Sequence, residues 1–264
     1  MTIRLPILLL GLVLAAGLYF GASAWQHAAR DGLVGLTEMP CKADGTVATG
    51  FAADDWAGRC IYRAANAELM ASHALTEVVM IGDSLTMGWP DRKGVVNRGI
   101  GKQTSDQVLL RFREDAVQLR PRLVHILVGI NDVAGITGPV TIEQYRGNMA
   151  AMIEAAQANG IAVILGTIPS ASRFPDNAKI DPGPPVAQVN AALRSLAAEK
   201  GVVLADYNAA VSQPDGTIRP ALYLADGVHP NAGGYAAMQP VLDAALVKAR
   251  AQSALGPEQI SGSK

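Results

Sequence analysis

From residue 77 onward the chain alternates short, apolar, β-branched runs with longer amphipathic ones, a rhythm that belongs to βαβ units and a parallel sheet. Five runs read as strands: 78–82, 95–99, 123–129, 162–168 and 202–206. Apolar residues recur at helical spacing over 105–119, 142–159 and 186–200, and a last helix is expected over 232–251, interrupted at Pro240. Gly160 and Gly201 stand directly behind helical runs, where a glycine accepts the left-handed turn that ends a helix. The expectation is an α/β fold of three layers, α/β/α, around a five-stranded parallel sheet. With strand order 2-1-3-4-5, the flavodoxin-like arrangement, the carboxyl ends of the first three strands meet at the topological switch point.

The first 24 residues do not fit this pattern. Arg4 precedes the continuous apolar run 5–20, and Ala22, Ser23 and Ala24 make an AxA-like exit. The run is long for a signal-peptide core and short for a span of about 20 residues, so 1–24 reads as a signal peptide or an uncleaved membrane anchor. Either reading exports the body, to the periplasm or beyond, with attachment to the membrane through 1–24 in the second case. No acylation cysteine follows the run directly. In an oxidising compartment Cys41 and Cys60 are expected to close a loop of about 20 residues, worth roughly 3 kcal/mol in the chain-entropy model; two unpaired thiols are the alternative. Residues 25–76 read as an N-terminal extension with a helix within 53–70, 77–251 as the main domain, and 252–264 as a flexible tail.

Each of the first three strands ends on glycine and short polar residues: GDSL at 82–85, NRGIG at 97–101 and GIND at 129–132. Packing alone does not ask buried strands to end this way. Ser84 has a modest explanation, capping the next helix through its hydroxyl. A stronger one makes it a nucleophile, because the chain also supplies DGVHPNAGG at 226–234. There Asp226 and His229 stand three residues apart, a spacing that lets the carboxylate orient the ring while the ring takes a proton from Ser84. His27 and His73 lack such a partner, and His125 sits inside an apolar strand as a core histidine. Asp83 is expected to tie the serine loop to backbone N–H groups, and Asp132 to cap the segment after its own strand.

The four blocks, in this order and on these elements, resemble the GDSL or SGNH hydrolase family of esterases and lipases, over about residues 77–248. The resemblance implies Ser84 as nucleophile, Asp226 and His229 as acid and base, and an oxyanion hole built from Ser84, Gly99 and Asn131. It implies a carboxylic ester hydrolase that needs no metal or organic cofactor. The GxSxG elbow of the α/β-hydrolases is absent. Without a long apolar insertion to form a lid or acyl channel, the expected substrate is a short-chain ester, such as an acetyl group on a carbohydrate. Lysophospholipase or thioesterase activity is the alternative, and acyl transfer to a sugar hydroxyl uses the same residues. A non-catalytic glycan-binding module is the alternative from another class, disfavoured because a binder has no need of Ser84, Asp226 and His229 together. Nucleic acid is excluded as a partner: 22 basic residues face 23 acidic ones, and aromatics make up 5% of the chain.

Overall fold

A computed structural model describes residues 41–42, 44–46, 55–73 and 75–260, with side chains described to residue 253. The expected export segment 1–24, most of the extension before residue 55, and residues 261–264 lie outside the described residues. Cys41 and Cys60 are both disulfide-bonded.

The strands are β1 (Val78–Gly82), β2 (Val95–Gly99), β3 (Leu123–Leu127), β4 (Ala162–Gly166) and β5 (Val203–Ala205). They pair in parallel in the expected order, β2-β1-β3-β4-β5. β1 and β3 are buried at every residue, as the central strands of a sheet covered on both faces must be. On one face α3 (Ser105–Asp115), α5 (Ile142–Ala158) and α6 (Gly183–Lys200) pack side by side. On the other lies α8 (Ala232–Ile260), against β4, β5 and the short α7 (Tyr207–Val211). Thr104 with Gln107, and Thr141 with Gln144, start α3 and α5 as capping boxes that satisfy otherwise orphaned backbone N–H groups.

Several boundaries differ from the sequence expectation for identifiable reasons. β3 stops at Leu127 because Gly129 turns the chain away at φ 141° into the short α4 (Ile130–Ala134). β4 stops at Gly166, and an asparagine then takes the place of a strand partner: Asn190 receives the N–H of Ile168 (2.8 Å) and donates to its carbonyl (2.9 Å). α6 starts at Gly183, since Pro184 and Pro185 are tolerated in a first turn whose N–H groups lack partners anyway. α8 runs unbroken through Pro240. Met238, Leu242, Ala245, Leu246 and Ala249 are buried along it, and that packing outweighs the roughly 3 kcal/mol that an interior proline costs. Its backbone stays helical to Ile260, past the start of the expected tail: Ala251–Leu255 holds no breaker and an existing helix propagates cheaply, whereas Gly256 and Pro257, which it also runs through, oppose it.

The helix sought within 53–70 is α1 (Arg63–Ser72), ending at His73 in the left-handed conformation. It packs on α3 through a buried charge network. Arg111 is fully buried and donates to Arg98 O (2.8 Å), Gly82 O (2.8 Å), Gln103 Oε1 (2.6 Å) and Asp115 Oδ2 (2.9 Å). Asn66 of α1 completes the pair, donating to Asp115 Oδ1 at 2.7 Å and accepting from Arg98 Nε at 2.8 Å. One guanidinium thus joins the carboxyl ends of β1 and β2.

Candidate active site

Parallel register sets Gly82 opposite Gly99 on one side and Leu127 on the other. The segments that follow these three residues therefore emerge at one edge of the sheet, separated by strand spacings of about 5 Å. Asp83–Ser84, Ile100–Gln103 and Val128–Asn131 share that edge.

Ser84 opens the one-turn helix α2 (Ser84–Met87), but it is not the cap. Asp83 is: its Oδ1 accepts the N–H of Leu85 at 2.8 Å, and its Oδ2 accepts that of Gly129 at 3.3 Å. The Ser84 hydroxyl lies 2.8 Å from His229 Nε2 instead. His229 Nδ1 lies 2.7 Å from Asp226 Oδ2, while Asp226 Oδ1 accepts the backbone N–H groups of Val228 (2.8 Å) and His229 (3.0 Å). Burial pushes the Asp226 carboxyl up, but the backbone bonds from His229 and Val228 and the His229 ring outweigh it and hold Asp226 below the ordinary carboxylate range. An ionised Asp226 fixes the tautomer that leaves Nε2 as the proton acceptor.

The long connection after β5 returns to this edge under backbone control. Leu224 donates its N–H to His229 O (2.8 Å), Asn231 donates to Leu222 O (2.9 Å), and Ser172 donates to Gly227 O (2.8 Å). The imidazole is thereby carried on a loop tied at both ends.

Gly99 arrives at the same edge with another task. Its N–H is already directed to Asn97 Oδ1 at 2.9 Å, so the expected oxyanion donor is engaged. Its lack of a side chain is needed for packing: a Cβ there would meet Met87 N at 2.1 Å. Asn97 also donates to Thr86 O (2.8 Å) and so staples β2 to α2. Asn131 donates one amide hydrogen to Gln103 O at 2.9 Å and keeps a second. Ser84 stands in the first turn of α2, where backbone N–H groups have no intrahelical partner. Asp132 braces the first residue of α3, whose cap is Thr104, rather than the segment after its own strand: it accepts the N–H of Ser105 (2.9 Å) and its hydroxyl (2.5 Å).

Sequence reasoning passed over Lys102 and Gln103. Lys102 has φ 63°, which brings the chain round so that Gln103 O meets Asn131. No sequence signal marks this turn, since a lysine carries no preference for left-handed backbone. Burial raises Asp83 to about 7 against its bonds from Leu85 and Gly129, and raises Asp132 to about 6 against its bonds from Ser105. Among the described residues no three His, Cys, Asp or Glu side chains gather as a metal-ligand set.

His125 is a core histidine, 2.9 Å from the Tyr207 hydroxyl, and burial pulls it down to about 3. Its folded value lies below the unfolded value of about 6.5, so the neutral ring contributes stability above that pH and loses it as pH falls toward 3. Asp83 and Asp132 act in the opposite sense: their contribution is complete below about pH 4 and fades as pH rises through 6–7. Comparing wild type with His125→Gln at two pH values cancels the carboxylates. Between pH 7 and pH 4 the variant is expected to lose about 3 kcal/mol less than wild type in urea unfolding. Equal losses would show that His125 is protonated in the folded protein.

A model of the GDSL-like lipase/acylhydrolase family matches residues 80–237. Among solved structures, a GDSL-like lipase from Bacteroides thetaiotaomicron is 35% identical, over 74% of this chain and 99% of its own, with a TM-score of 0.67. An acetylxylan esterase from Geobacillus stearothermophilus shares the fold at 21% identity, over 65% of this chain and 94% of its own, with a TM-score of 0.53. An uncharacterised lipoprotein of Bacillus subtilis, YqeF, is 36% identical over 76 residues, a match that takes in 28% of this chain. The chain spans 31% of the length of that relative.

Proposed function

This chain belongs to the GDSL-like lipase/acylhydrolase family, and on that premise we propose that it is an exported serine esterase acting through Ser84, His229 and Asp226. The observation that carries the reading is the unbroken line of hydrogen bonds from Ser84 Oγ to His229 Nε2 and from His229 Nδ1 to Asp226 Oδ2. Ser84 Oγ attacks the ester carbonyl carbon as His229 Nε2 takes its proton. The carbonyl oxygen becomes an oxyanion, met by the Ser84 N–H and the second Asn131 amide hydrogen. His229 returns the proton to the leaving alcohol, and water, activated in the same way, releases the acid from Ser84.

A short acyl group, such as acetyl on a carbohydrate, fits the surroundings best. A cleft of about 530 Å3 beside the loop that carries Asp226 is apolar over most of its lining, with Pro184, Val186 and Ile218, and sets Ser170, Ser172 and Asn208 among them as hydrogen-bonding groups for a hydroxyl-bearing alcohol. Lysophospholipid or thioester hydrolysis is the second reading. Met87 on the nucleophile helix and Leu224, bonded through its backbone to His229, are exposed apolar side chains that a longer acyl chain could cover. Export rests on the apolar segment 5–20, the bonded cysteines and the partial likeness to a lipoprotein.

Hydrolysis of p-nitrophenyl esters from acetate to palmitate by the full-length chain separates these readings. Turnover on acetate is expected to fall by at least about tenfold by octanoate, the longer chains finding no channel. A maximum at long chains would promote the lysophospholipase reading. Absence of turnover on every ester by the folded protein would leave a binding module or a highly selective enzyme.

A further inference from the structure

The family match begins at residue 80, yet the described segment before it reaches into the site through five separate bonds. Ala57 O accepts Gln103 Nε2 at 2.8 Å, and Trp56 O accepts Gln107 Nε2 at 2.5 Å. The Tyr62 hydroxyl donates to Gly99 O at 2.5 Å, and the Arg98 guanidinium lies 4.7 Å from the centre of the Tyr62 ring. Asn66 completes the Arg98–Asp115 bridge.

Gln103 is where these bonds converge. It is 4% exposed, and each of its polar groups is committed: Oε1 to Arg111 Nε, Nε2 to Ala57 O, and the main-chain carbonyl to the Asn131 amide. We propose that Gln103 is a positioning residue, and that residues 56–66 act through it and through Tyr62 to hold the 99–104 loop so that the Asn131 amide points at the developing oxyanion. The inference rests on the esterase reading above. The carbonyl of Gln103 fixes one amide hydrogen of Asn131, and the rigid geometry of a primary amide then fixes the direction of the other. Lys102, held at positive φ immediately before Gln103, gives the loop an alternative conformation to relax into when the brace is cut. Hydrogen bonds aimed at a transition-state charge lose their effect when displaced by about 1 Å, so a small relaxation reaches the rate.

Two variants of the full-length chain test this. Gln103→Met keeps the side chain's length and removes its amide; Tyr62→Phe keeps the ring over Arg98 and removes only the hydroxyl. Turnover of p-nitrophenyl acetate is referred to the amount of Ser84 titrated by a fluorophosphonate, which removes any misfolded fraction from the comparison. The expected result for Gln103→Met is a kcat lower by about tenfold or more with KM changed by less than about threefold, and for Tyr62→Phe a smaller loss of the same kind. Hydrogen exchange followed by mass spectrometry is expected to quicken in peptides spanning 99–104 and 129–132, and to stay unchanged across 145–165. Unchanged kcat per titrated serine in both variants, or unchanged exchange at 99–104, overturns the proposal. If wild type hydrolyses no ester, the esterase reading fails by itself, and the exchange measurement still decides whether the 56–66 segment holds the loop.

Discussion

Ser84→Ala is expected to lower kcat for p-nitrophenyl acetate on the order of 10⁵-fold while leaving the thermal midpoint almost unchanged. The two halves of that result discriminate between roles for the same side chain. If the hydroxyl served as the helix cap, alanine would cost about 1 kcal/mol of stability and leave the chemistry alone. The cap is Asp83, however, and the Ser84 hydroxyl is bonded to His229, so its removal takes away the attacking atom without orphaning a backbone donor. Residual hydrolysis by a folded variant would come from water activated by His229 beside the remaining oxyanion donors. A kcat within about tenfold of wild type would place the nucleophile elsewhere.

Arg111→Met is expected to have the largest effect on folding, a loss of about 3–5 kcal/mol against a total that is commonly 5–15 kcal/mol. Methionine follows the aliphatic stem of arginine, so little cavity is created. What disappears is a set of donors. Gly82 O, Arg98 O and Gln103 Oε1 each lose the bond Arg111 makes to them, and Asp115 is left in the interior bonded to Asn66 alone, with only the Arg98 guanidinium, not bonded to it, to oppose its charge. Urea unfolding monitored by far-UV circular dichroism checks the prediction through a lower midpoint at unchanged m. The double variant Arg111→Met, Asp115→Leu is expected to recover part of the loss, because it removes the stranded carboxylate as well. A single-variant cost below about 1 kcal/mol would mean that the strand ends are held by the sheet ladder without help from the guanidinium.

The parts of the fold that were legible in the sequence are those fixed by local rules. Burial on two faces wrote the strands as apolar runs, and Gly160 and Gly201 marked the ends of α5 and α6. The polar blocks were legible because short polar residues stand where apolar strands end, and Ser84, Asp226 and His229 lie within hydrogen-bond reach in the structure. What was not legible depends on contacts between segments far apart in the chain. Arg111, Asp115 and Arg98 carry charge, and a charged residue in an amphipathic helix or at a strand end reads as solvent-facing until Asn66 and the strand carbonyls are placed around it. Gly99 reads as a conserver of backbone freedom or a donor, whereas its decisive neighbour is Met87, whose approach belongs to the packing of α2 on β2. Lys102 at positive φ contradicts its own propensity, and only the loop's anchors at Gln103 and Gly99 explain it.

The outer strands of the sheet bear on how the protein behaves among its own copies. β5 offers three residues of ladder, too short to recruit a neighbouring chain, and β2 carries the ionised Arg98 near its end, 6% exposed and bound within the fold. Open edges that are long, flat and apolar are the templates on which sheets add foreign strands, and this one has neither length on one side nor apolar continuity on the other. Borders of this kind offer a second copy of the chain no long apolar ladder to extend.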